Sequence, residues 1–514
     1  MASKAFAKSL LCFYRSLRCR LANPLSLHRR EIHLKLQKNH VSLCHLHDQT
    51  LVLDVEGGLL RSSSTFPYFM LVALEAGCLL RGLILLLLYP LLCCLSREVG
   101  LRIMVLVCFL GIRKEGFRAG IAVLPKHLLE DVGLEGFEVL RMAGKKVCVS
   151  GMPSAMVEGF LKEYLEVDLV VARELKVFHG YYTGLMEEHT YSSLENAFAE
   201  EAIGFGSCIK SPQHQLFSHC KEVHLVSEAE KKKWQRLPRE EYPKAMVFHD
   251  GRMAFRPTLM ATLAMFVWFP FGVSLSILRT IVFLLLPYTI SVPIGSATGV
   301  TDRVLNPHAS ADDRQHKLYV CNHRTLLDPV YISAMLNKLV VAVTYSVSPI
   351  TEALSPIRTV RLTRNKEEDR RRMERLLRQG DLVVCPEGTT CREPYLLRFS
   401  PLFAELAEEV VPVALAAKVG MFYGTTASGF KFLDSFFFLM NPRPDYHLEF
   451  LQKIPTGCLR RRSGSSYEVA NLVQREIGSA LGFQCTALTR KDKYVILAGN
   501  EGVVKTKTQR AHKK

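Results

Sequence analysis

Residues 317–332 read KLYVCNHRTLLDPVYI, and this stretch determines how the second half of the chain folds. Its first part, Lys317–Cys321, has the composition of a short buried strand, and Pro329 is typical of the first turn of a helix. His323 and Asp328 lie between these elements, five residues apart. On a continuous helix they would point about 140° away from each other. The two side chains meet only if His323 lies on a loop that leads into the helix of Asp328.

The pair has a structural and a chemical interpretation. An aspartate before a proline is a good helix N-cap, and Thr325 with Asp328 has the spacing of a capping box. In that case His323 is an ordinary surface histidine. In the chemical interpretation, His323 is a general base and Asp328 is the carboxylate that orients it. The local motif is compatible with both interpretations, so motifs elsewhere in the chain must decide between them.

Composition limits the classes of function. The chain has 514 residues, which predicts two or three domains, and it carries a formal net charge of +17. It is also 48% hydrophobic, and this combination indicates contact with an anionic membrane surface or phosphorylated substrates. No zinc-ligand spacing, RNP-like motif or helix-turn-helix pattern accompanies the charge, so no nucleic-acid partner is expected. The 15 cysteines have no paired spacing, which favours reduced thiols facing the cytosol.

Both ends of the chain are basic. Residues 1–47 are rich in arginine and lysine and contain almost no acidic residue. This composition is typical of an organellar transit peptide and equally of a polybasic arm on anionic lipid. The tail, residues 501–514, is expected to be disordered.

Two regions are apolar enough to enter a membrane. Residues 68–112 form an apolar insert, whose uncharged run Gly82–Leu95 is shorter than the ~20 residues that span a bilayer. A membrane hairpin or a pair of interfacial helices fits this insert. The second region, 258–295, begins with the uncharged run Thr258–Leu278, which Arg279 ends. We expect one span with a re-entrant or interfacial segment, or two short spans, with a buried helical hairpin as the soluble alternative.

Strand and helix patterns alternate on both sides of residues 258–295, which predicts two α/β domains, at 48–250 and 300–500, the first of them built on a parallel sheet. The predicted strands are Leu51–Asp54, Lys145–Ser150, Val167–Val171, Leu318–Cys321, Val340–Thr344, Leu382–Cys385 and Val410–Ala414. The predicted helices include Met156–Tyr164 and the charged stretch 365–379. Because Pro412 cannot donate a ladder hydrogen bond, its strand is expected near an edge or opening of the sheet.

Two further motifs follow His323. Arg358, Arg361 and Arg364 lie three residues apart; in a strand they alternate between faces, whereas in a turn two of them converge on a phosphate. A basic surface segment on lipid head groups is the alternative. Pro386–Thr389 follows a predicted strand, which places Glu387 and Gly388 at a strand's carboxyl end, where α/β ligand sites gather. A tight turn with a solvated carboxylate is the alternative there.

These motifs together resemble a known family. Asn322-His323-Arg324-Thr325-x-x-Asp328, the arginine block, Pro386–Thr389 and Val411–Val413 resemble, in order, the four blocks of the glycerolipid acyltransferase superfamily. The stretches 380–403, 422–429 and 488–494 are similar to the land-plant, membrane-bound glycerol-3-phosphate acyltransferases associated with cutin and suberin. The resemblance covers roughly residues 48–504, and four ordered blocks are more specific than one motif.

The resemblance implies an acyl-CoA-dependent transfer to a hydroxyl of glycerol 3-phosphate, with the sn-2 position favoured. His323 is then the general base and Asp328 its orienting partner, with no covalent enzyme intermediate, cofactor or metal. The implied substrate-binding residues are Arg324, Arg361, Arg364, Glu387, Gly388, Thr389 and Arg392. Transfer to another acceptor, such as lysophosphatidic acid, and a catalytically silent membrane scaffold are the competing functions.

The implied location is the endoplasmic reticulum, as a multi-pass membrane protein, with the mitochondrion as the alternative. Glycerol 3-phosphate, acyl-CoA and membrane lipid are the expected partners. The sequence predicts no particular oligomeric state.

In the first half, members of this plant family resemble a haloacid-dehalogenase (HAD) type phosphatase, whose first motif is Asp-x-Asp-Gly-Thr. Here Asp54 remains, but Glu56 replaces the second aspartate, which is the general acid, and Gly58 replaces the threonine. The longer Glu56 side chain would misplace a proton donor by about one methylene, and positioned catalysis tolerates such errors poorly.

The metal-binding part of that phosphatase site is also altered. The region that matches the family's magnesium-binding acidic pair, residues 204–211, contains no carboxylate, although Mg²⁺ needs hard oxygen ligands. Ser150 lies where a phosphate-binding hydroxyl would follow the second strand. We therefore expect a degenerate phosphatase site and lysophosphatidic acid as the product. A bifunctional acyltransferase/phosphatase that releases monoacylglycerol is the alternative.

Overall fold

Strands and helices alternate in both halves of the chain, in a computed structural model that describes residues 49–188, 202–207, 217, 220–306, 316–345 and 348–501. The predicted basic arm, 1–47, and all but the first residue of the predicted tail lie outside the described residues. All described residues belong to one compact unit.

The strands are β1 (Thr50–Asp54), β2 (Lys145–Val149), β3 (Leu169–Val171), β4 (Leu175–Phe178), β5 (Tyr181–Met186), β6 (Ile203–Ser207), β7 (Glu222–Val226), β8 (Thr301–Leu305), β9 (Leu318–Cys321), β10 (Val341–Thr344), β11 (Arg358–Arg361), β12 (Leu382–Val384), β13 (Tyr395–Leu396), β14 (Val411–Lys418), β15 (Asp445–Phe450) and β16 (Gln484–Cys485).

The helices are α1 (Phe66–Val72), α2 (Leu79–Cys94), α3 (Arg97–Phe109), α4 (Ala119–Ala122), α5 (Leu124–Leu129), α6 (Leu134–Met142), α7 (Ser154–Leu165), α8 (Glu228–Lys231), α9 (Leu259–Leu285), α10 (Tyr288–Ala297), α11 (Asp328–Leu336), α12 (Pro349–Ala353), α13 (Lys366–Leu377), α14 (Asp434–Leu439), α15 (Thr456–Ser463), α16 (Ser466–Leu481) and α17 (Arg490–Ala498).

The first half is built on a five-stranded parallel sheet with the order β3-β2-β1-β6-β7. Its central strand β1 is buried along its whole length, which suits its run of apolar residues. The predicted α/β pattern of this half is confirmed. Asp54, the last residue of β1, therefore lies at the middle of the sheet's carboxyl edge.

The second half is built on a seven-stranded sheet with the order β11-β10-β12-β9-β14-β15-β8, in which only the β14–β15 pair is antiparallel among the described strands. The predicted α/β class is again confirmed. Because β9 and β12 are parallel neighbours, the loops that follow them, with His323 and Glu387, leave the same edge of the sheet side by side.

The prediction that the Pro412 strand lies near an edge is wrong. Strand β14 lies inside the sheet, between β9 and β15. Pro412 is only the second residue of the strand, and pairing with β15 begins after it, at Val413. A proline near a strand's start removes little from the ladder, so the interior position is tolerated.

One helix among the described residues, α9, is long and apolar enough to cross a membrane by length and composition. Its 27 residues give a length of about 40 Å. In its most apolar window 22% of the residues are buried, which disfavours the soluble-hairpin alternative. The exposed apolar residues follow helical spacing and lie on one face of the helix: Met260, Leu263, Val267, Phe271, Ile277, Leu278, Ile281 and Leu285.

Arg279 lies inside α9 and not at its end. Its side chain is buried, and Nη1 donates to the carbonyls of Leu439 and Asn441, each at 2.7 Å. Ser276 donates to the Phe436 carbonyl at 2.9 Å on the same helix face. These polar contacts attach the apolar helix to α14 and the residues just after it, in the connection between β14 and β15.

The apolar insert at 68–112 forms helices, as its composition predicts. Helices α2 and α3 are joined at Leu95 and Ser96, and α2 spans about 24 Å with its 16 residues. Leu80 and Leu87 on α2 are 63% and 70% exposed, so this helix also presents an apolar face outward.

Candidate active site

His323 lies on the loop between β9 and α11, and Asp328 is the first residue of α11. The His323 Nδ1 atom is 2.8 Å from Asp328 Oδ2, so the two side chains meet as the loop arrangement predicts. Because Nδ1 is engaged by the carboxylate, Nε2 is the nitrogen that can take a proton from a bound hydroxyl. This is the geometry of a general base with its orienting partner.

Asp328 is held in place by the loop that it closes. Its carboxylate is fully buried and accepts hydrogen bonds from the backbone N–H groups of Arg324, at 2.6 Å, and Thr325, at 2.9 Å. The hydroxyls of Thr325 and Tyr446 donate to the same carboxylate. The Asp328 carboxylate that accepts the Thr325 N–H is one half of a capping box, but the other half is missing, because the Thr325 hydroxyl accepts the Leu327 N–H at 3.0 Å and not that of Asp328. The capping interpretation does not account for the contact between Asp328 and His323.

Glu387 supports the same loop from the neighbouring strand. Its Oε1 atom accepts the backbone N–H of His323 at 2.7 Å, and Oε2 accepts that of Leu397 at 2.9 Å. Burial raises the pKa of Glu387 to about 7, although the two backbone hydrogen bonds oppose the shift. The sequence predicts a substrate contact for this carboxylate, and the structure places it against the backbone of the loop that carries His323.

Two thiols adjoin His323. Cys321 ends β9 and Cys385 follows β12, and their sulfur atoms are 3.5 Å apart. The hydrogen bond with Cys321 lowers the pKa of Cys385 to about 6, with His323 also contributing. Burial lowers the pKa of His323, but Cys385 and Asp328 outweigh burial and raise it well above its ordinary value. Proton affinity at His323 therefore depends on both neighbours.

His323 lines a cavity of about 170 Å³ that also contains Cys385, Gly388, Thr389 and Thr390. Gly388 has a φ of +65°, a left-handed conformation that favours glycine, so the predicted turn requires this residue. The structure thus brings Gly388 and Thr389 to the wall of the cavity that His323 lines.

Among the polar residues of this cavity that the sequence prediction does not include are Lys431, Asp434, Arg490 and Tyr494. Lys431 Nζ donates to the Tyr494 hydroxyl at 2.6 Å, and the Arg490 guanidinium lies 4.7 Å from the centre of the Tyr494 ring. Burial raises the pKa of Tyr494, but the Lys431 hydrogen bond and the nearby cations outweigh it, so the pKa is lowered. The two cations provide a positively charged wall. The stretch 488–494, which carries only family resemblance, contains Arg490 and Tyr494, whereas no sequence signal marks Lys431.

The three arginines of the predicted block do not lie at one place in the structure. Arg358 and Arg361 are the first and last residues of edge strand β11, and Arg361 forms an exposed ion pair with Glu352 at 2.6 Å. Arg364 lies beyond the strand with a φ of +71°, and its guanidinium is 5.9 Å from the ring centre of Tyr345, which lines the cavity. Of the block, Arg364 approaches the site, whereas Arg361 does not.

Arg324 and Arg392 have structural partners on another side of the loop. The Arg324 guanidinium donates to the carbonyls of Arg392, at 2.5 Å, and Glu393, at 2.8 Å. Arg392 donates to the Gly251 carbonyl at 2.8 Å and lies 3.7 Å from Asp250. Neither arginine lines the His323 cavity.

The segment 246–256 connects the two halves through these charged groups. Asp250 accepts backbone N–H groups of Ala427, at 2.9 Å, and Ser428, at 3.0 Å. Burial raises the pKa of Asp250, but Arg392 and the Ser428 hydrogen bonds outweigh it and lower the pKa to about 2. From the first half, Glu75 accepts the backbone N–H groups of residues 252 and 253 at 2.6 and 2.7 Å. The first half thus buttresses the loops of the candidate site.

An apolar groove of about 350 Å³ adjoins α11, the helix that begins at Asp328. It is bounded by Ile277–Leu284 of α9, by Leu327 and Val330 around the start of α11, and by Phe432 and Phe436. The segments 326–330 and 431–435 contribute to both this groove and the His323 cavity. The groove therefore runs from α9 towards the loop that carries His323.

In the first half, Glu56 occupies the position that a phosphate would need. Its Oε1 atom accepts hydrogen bonds from the Ser150 hydroxyl at 2.8 Å, from the Gly151 N–H at 3.0 Å and from the Met152 N–H at 3.1 Å. Buried Lys231 donates to the Glu56 carbonyl at 2.5 Å. These donors form an anion cradle, and the chain's own carboxylate fills it.

The residues present do not fit a magnesium site of the phosphatase type. Glu56 is turned into the cradle, and burial together with Glu56 raises the pKa of Asp54 to about 7, which disfavours an ionised ligand. Within the described residues no group of three potential metal ligands occurs. Residues 208–211, part of the predicted degenerate region, lie outside the described chain, whereas 204–207 belong to β6.

Known proteins resemble the chain in both halves. Residues 50–226 match the family model of the HAD-like domain of RAM2-like glycerol-3-phosphate acyltransferases, and residues 304–419 match the acyltransferase family model. The chain is 53% identical over 473 residues to probable glycerol-3-phosphate acyltransferase 3 of Arabidopsis thaliana, covering 89% of this chain and 91% of that protein. It is 46% identical over 500 residues to glycerol-3-phosphate acyltransferase 1 of the same plant, covering 92% and 85%.

A solved structure also matches part of the chain. The 1-acyl-sn-glycerophosphate (LPA) acyltransferase of Thermotoga maritima is 12% identical, with a TM-score of 0.28, covering 44% of this chain and 95% of that one.

Proposed function

The chain belongs to the glycerol-3-phosphate acyltransferase family, and we propose that it transfers an acyl group from acyl-CoA to a hydroxyl of glycerol 3-phosphate. The observation that carries this proposal is the 2.8 Å hydrogen bond between His323 Nδ1 and Asp328, at the wall of a cavity that Lys431 and Arg490 also line. A base, its orienting carboxylate and two cations are what transfer to a phosphorylated alcohol requires.

The proposed reaction uses the substrate's own oxygen as the nucleophile. His323 Nε2 takes the proton of the hydroxyl while that oxygen forms a bond to the thioester carbonyl carbon. The carbon–sulfur bond then breaks, and the imidazolium passes its proton to the departing CoA thiolate. Buried Asp328 keeps the imidazole in the correct tautomer and stabilises its positive charge. No step needs an acyl-enzyme intermediate.

The acceptor phosphate would lie against Lys431 and Arg490, with Arg364 near the rim at Tyr345. Two cations attract a phosphate dianion and provide charge-assisted hydrogen bonds. Gly388 and Thr389 would contact the glycerol part from the turn after β12. Glu387, Arg324 and Arg392 would act indirectly, by holding the loops that carry these contacts.

The acyl chain of the donor would lie in the groove between α9 and α11. The lining of this groove is mainly apolar, and burial of a chain there is favourable by about 0.8 kcal/mol for each methylene. The exposed apolar face of α9 supports attachment to a membrane, from which such donors can enter the groove. We further propose that the chain is a multi-pass protein of the endoplasmic reticulum, in which α2 is a second membrane element beside α9.

The proposed product is lysophosphatidic acid, because Glu56 occupies the anion cradle of the first half. A product phosphate could not enter that cradle without displacing a carboxylate that accepts three hydrogen bonds. Transfer to the sn-2 hydroxyl and use of the product for cutin- or suberin-type polyesters are supported by the family resemblance of the sequence motifs.

Membranes containing the full chain, supplied with glycerol 3-phosphate and a labelled acyl-CoA, test the proposal. Wild type should form lysophosphatidic acid, and positional analysis should place the chain at sn-2. His323→Ala should lower the rate by about 10²–10⁴-fold. His316→Ala is the matched control, because His316 is a half-exposed histidine seven residues earlier. Absence of an acyl product, or full activity of His323→Ala, would refute the proposal.

Location is tested separately. Fluorescent fusions of the full chain and of a variant without residues 1–47 should both label the endoplasmic reticulum. Mitochondrial labelling that depends on residues 1–47 would contradict this part of the proposal and support the transit-peptide interpretation.

A further inference from the structure

A second cavity adjoins the loop that carries His323. Its volume is about 740 Å³, more than four times that of the 170 Å³ catalytic cavity and within the range of small-molecule sites. Arg324 and Thr325, the two residues after His323, line the second cavity, whereas His323 lines the first. The two cavities flank one loop and share no lining residue.

The second cavity is strongly basic. The cations that line it are Lys126, Arg239, Arg303, Arg324, Arg392 and Lys418. Its carboxylates are Glu393 and Asp445, and Asp250 lies behind Arg392 at 3.7 Å. Glu393 is already paired with Arg239 at 2.7 Å and lies 3.9 Å from Lys126. Positive charge therefore exceeds negative charge, which favours a ligand with at least two negative charges.

Arg303 and Lys418 reach this cavity from the sheet. Arg303 of β8 lies opposite His447 of β15, which lies opposite Ala416 of β14, and directly opposite residues share a sheet face. Lys418 is two residues beyond Ala416 and projects from the same face. Both cations are exposed, and neither forms an ion pair with another residue of the described chain. Lys418 lies directly opposite Asp445 in the β14–β15 register, but the two form no ion pair in the described chain, so both cations can contact an anion.

The other wall holds its cations in fixed orientations. The Arg324 guanidinium lies 5.1 Å from the ring centre of Phe483, and that of Arg392 lies 4.2 Å from the ring centre of Tyr423. Arg324 is further fixed by its two carbonyl hydrogen bonds, while its Nε atom has no partner among the described residues. Oriented guanidinium groups beside aromatic rings are typical of phosphate recognition.

We propose that this cavity binds a phosphate-bearing ligand separate from the acceptor alcohol. The shared chemistry is a phosphate group with two or more negative charges, and it has two sources: the nucleotide end of a CoA thioester, or the head group of an anionic phospholipid. The phosphate binding stands independently, whereas its link to the donor thioester rests on the proposed function.

Binding to the purified full chain tests the proposal. In detergent solution, calorimetry would measure the affinity for adenosine 3′,5′-bisphosphate, the nucleotide end of CoA. In nanodiscs, thermal stabilisation by phosphatidic acid, relative to phosphatidylcholine alone, would measure the lipid source. Wild type should bind at least one of these probes.

The test variant is Arg303→Glu with Lys418→Glu. Its affinity for the bound probe should fall by at least roughly tenfold, as expected when two charge-assisted contacts become repulsive. Arg371→Glu with Arg375→Glu, on the exposed face of α13, changes the net charge equally and should leave the affinity unchanged. If the test variant does not fold, Lys418→Ala at the last residue of β14 should still weaken binding several-fold.

Binding of neither probe to wild type, or equal affinities in the test and control variants, would overturn the proposal. His323→Ala should bind the probe as wild type does, since His323 does not line this cavity. If wild type lacks acyltransferase activity but binds a probe in a manner that depends on Arg303 and Lys418, the proposed function fails and the phosphate site stands.

Discussion

Glu56 Oε1 lies 2.8 Å from the Ser150 hydroxyl, so the first half of the chain fills its own anion cradle. The same carboxylate lies close to Asp54, and both groups are buried at the carboxyl edge of the first sheet. Two carboxylates in one buried site disfavour a second negative charge. The substitution of aspartate by glutamate thus affects both the entry of a phosphate and the protonation of Asp54.

Asp54 makes the stability of the fold depend on pH. Burial, with Glu56 as a second cause, raises its pKa from 3.8 to about 7. A raised pKa means that its contribution to stability is fully present below about pH 4 and is lost as pH rises through 7. Asp54→Asn should remove this loss and raise the unfolding temperature at pH 8, by the equivalent of about 2–4 kcal/mol. Thermal unfolding between pH 5 and pH 8 measures the effect.

The matched control for this prediction is Glu138→Gln, which neutralises an exposed carboxylate on α6. Its unfolding temperature should follow the wild-type pH curve. If Asp54→Asn also runs parallel to wild type across this range, Asp54 is ionised in the folded protein and the prediction is wrong.

The proposed role of His323 as general base makes the rate of acyl transfer depend on pH. The pKa of His323 is raised: burial opposes the charged imidazole, but Cys385 and Asp328 outweigh burial. A general base works only when deprotonated, so the rate should rise with pH through a value above the ordinary 6.5. Cys385→Ala removes one of the causes and should move this rise to lower pH. Rates of acyl transfer at saturating substrate, measured from pH 5.5 to pH 9, test this.

Cys458→Ala, which removes an exposed thiol of α15, should leave the pH profile unchanged. A Cys385→Ala profile that coincides with wild type would show that the thiol does not influence the catalytic histidine.

Part of the site can be predicted from the sequence because it depends only on which short segments follow which strands along the chain. Strands β9 and β12 each show a short apolar run, and parallel strands of one sheet end at the same edge. That rule alone brings the loops of His323 and Glu387 together. The buried position of Asp328 follows from a loop of only six residues between β9 and α11.

The rest of the site depends on contacts between distant parts of the chain. Arg392 follows the Pro-Glu-Gly-Thr turn and has the chemistry of a substrate contact, yet its carboxylate partner Asp250 lies 142 positions earlier. Lys431 begins a single 3-10 turn (Lys431–Leu433) and Arg490 is the first residue of α17, both far along the chain from His323. Pairwise contacts of this kind leave no local pattern, so only the folded chain reveals them.

The Arg392–Asp250 contact should be essential for stability. Asp250→Asn would replace an acceptor of two backbone N–H groups by an amide and leave the buried Arg392 without its counter-charge. Breaking a buried pair in this way costs about 3–5 kcal/mol. The unfolding temperature should fall, and acyltransferase activity should be lost at temperatures where wild type is active.

Glu241→Gln breaks the exposed Arg141–Glu241 pair and should change the unfolding free energy by less than about 1 kcal/mol. Similar effects of the two substitutions would contradict a buttressing role for segment 246–256.

Lys431 and Arg490 should determine the affinity for the acceptor. Each lines the cavity of His323, and loss of one charge-assisted hydrogen bond to a phosphate costs about 1.5–3 kcal/mol. Lys431→Ala and Arg490→Ala should therefore each raise the KM for glycerol 3-phosphate roughly 10- to 100-fold, with a smaller effect on the KM for acyl-CoA.

Arg361→Ala is the informative comparison, because its family motif predicts a phosphate contact whereas the structure pairs it with Glu352 on the surface. Steady-state kinetics with each substrate varied in turn would separate the two assignments. A rise in the acceptor KM for Arg361→Ala but not for Arg490→Ala would favour the motif over the geometry, and would place the phosphate at the β11 edge of the sheet.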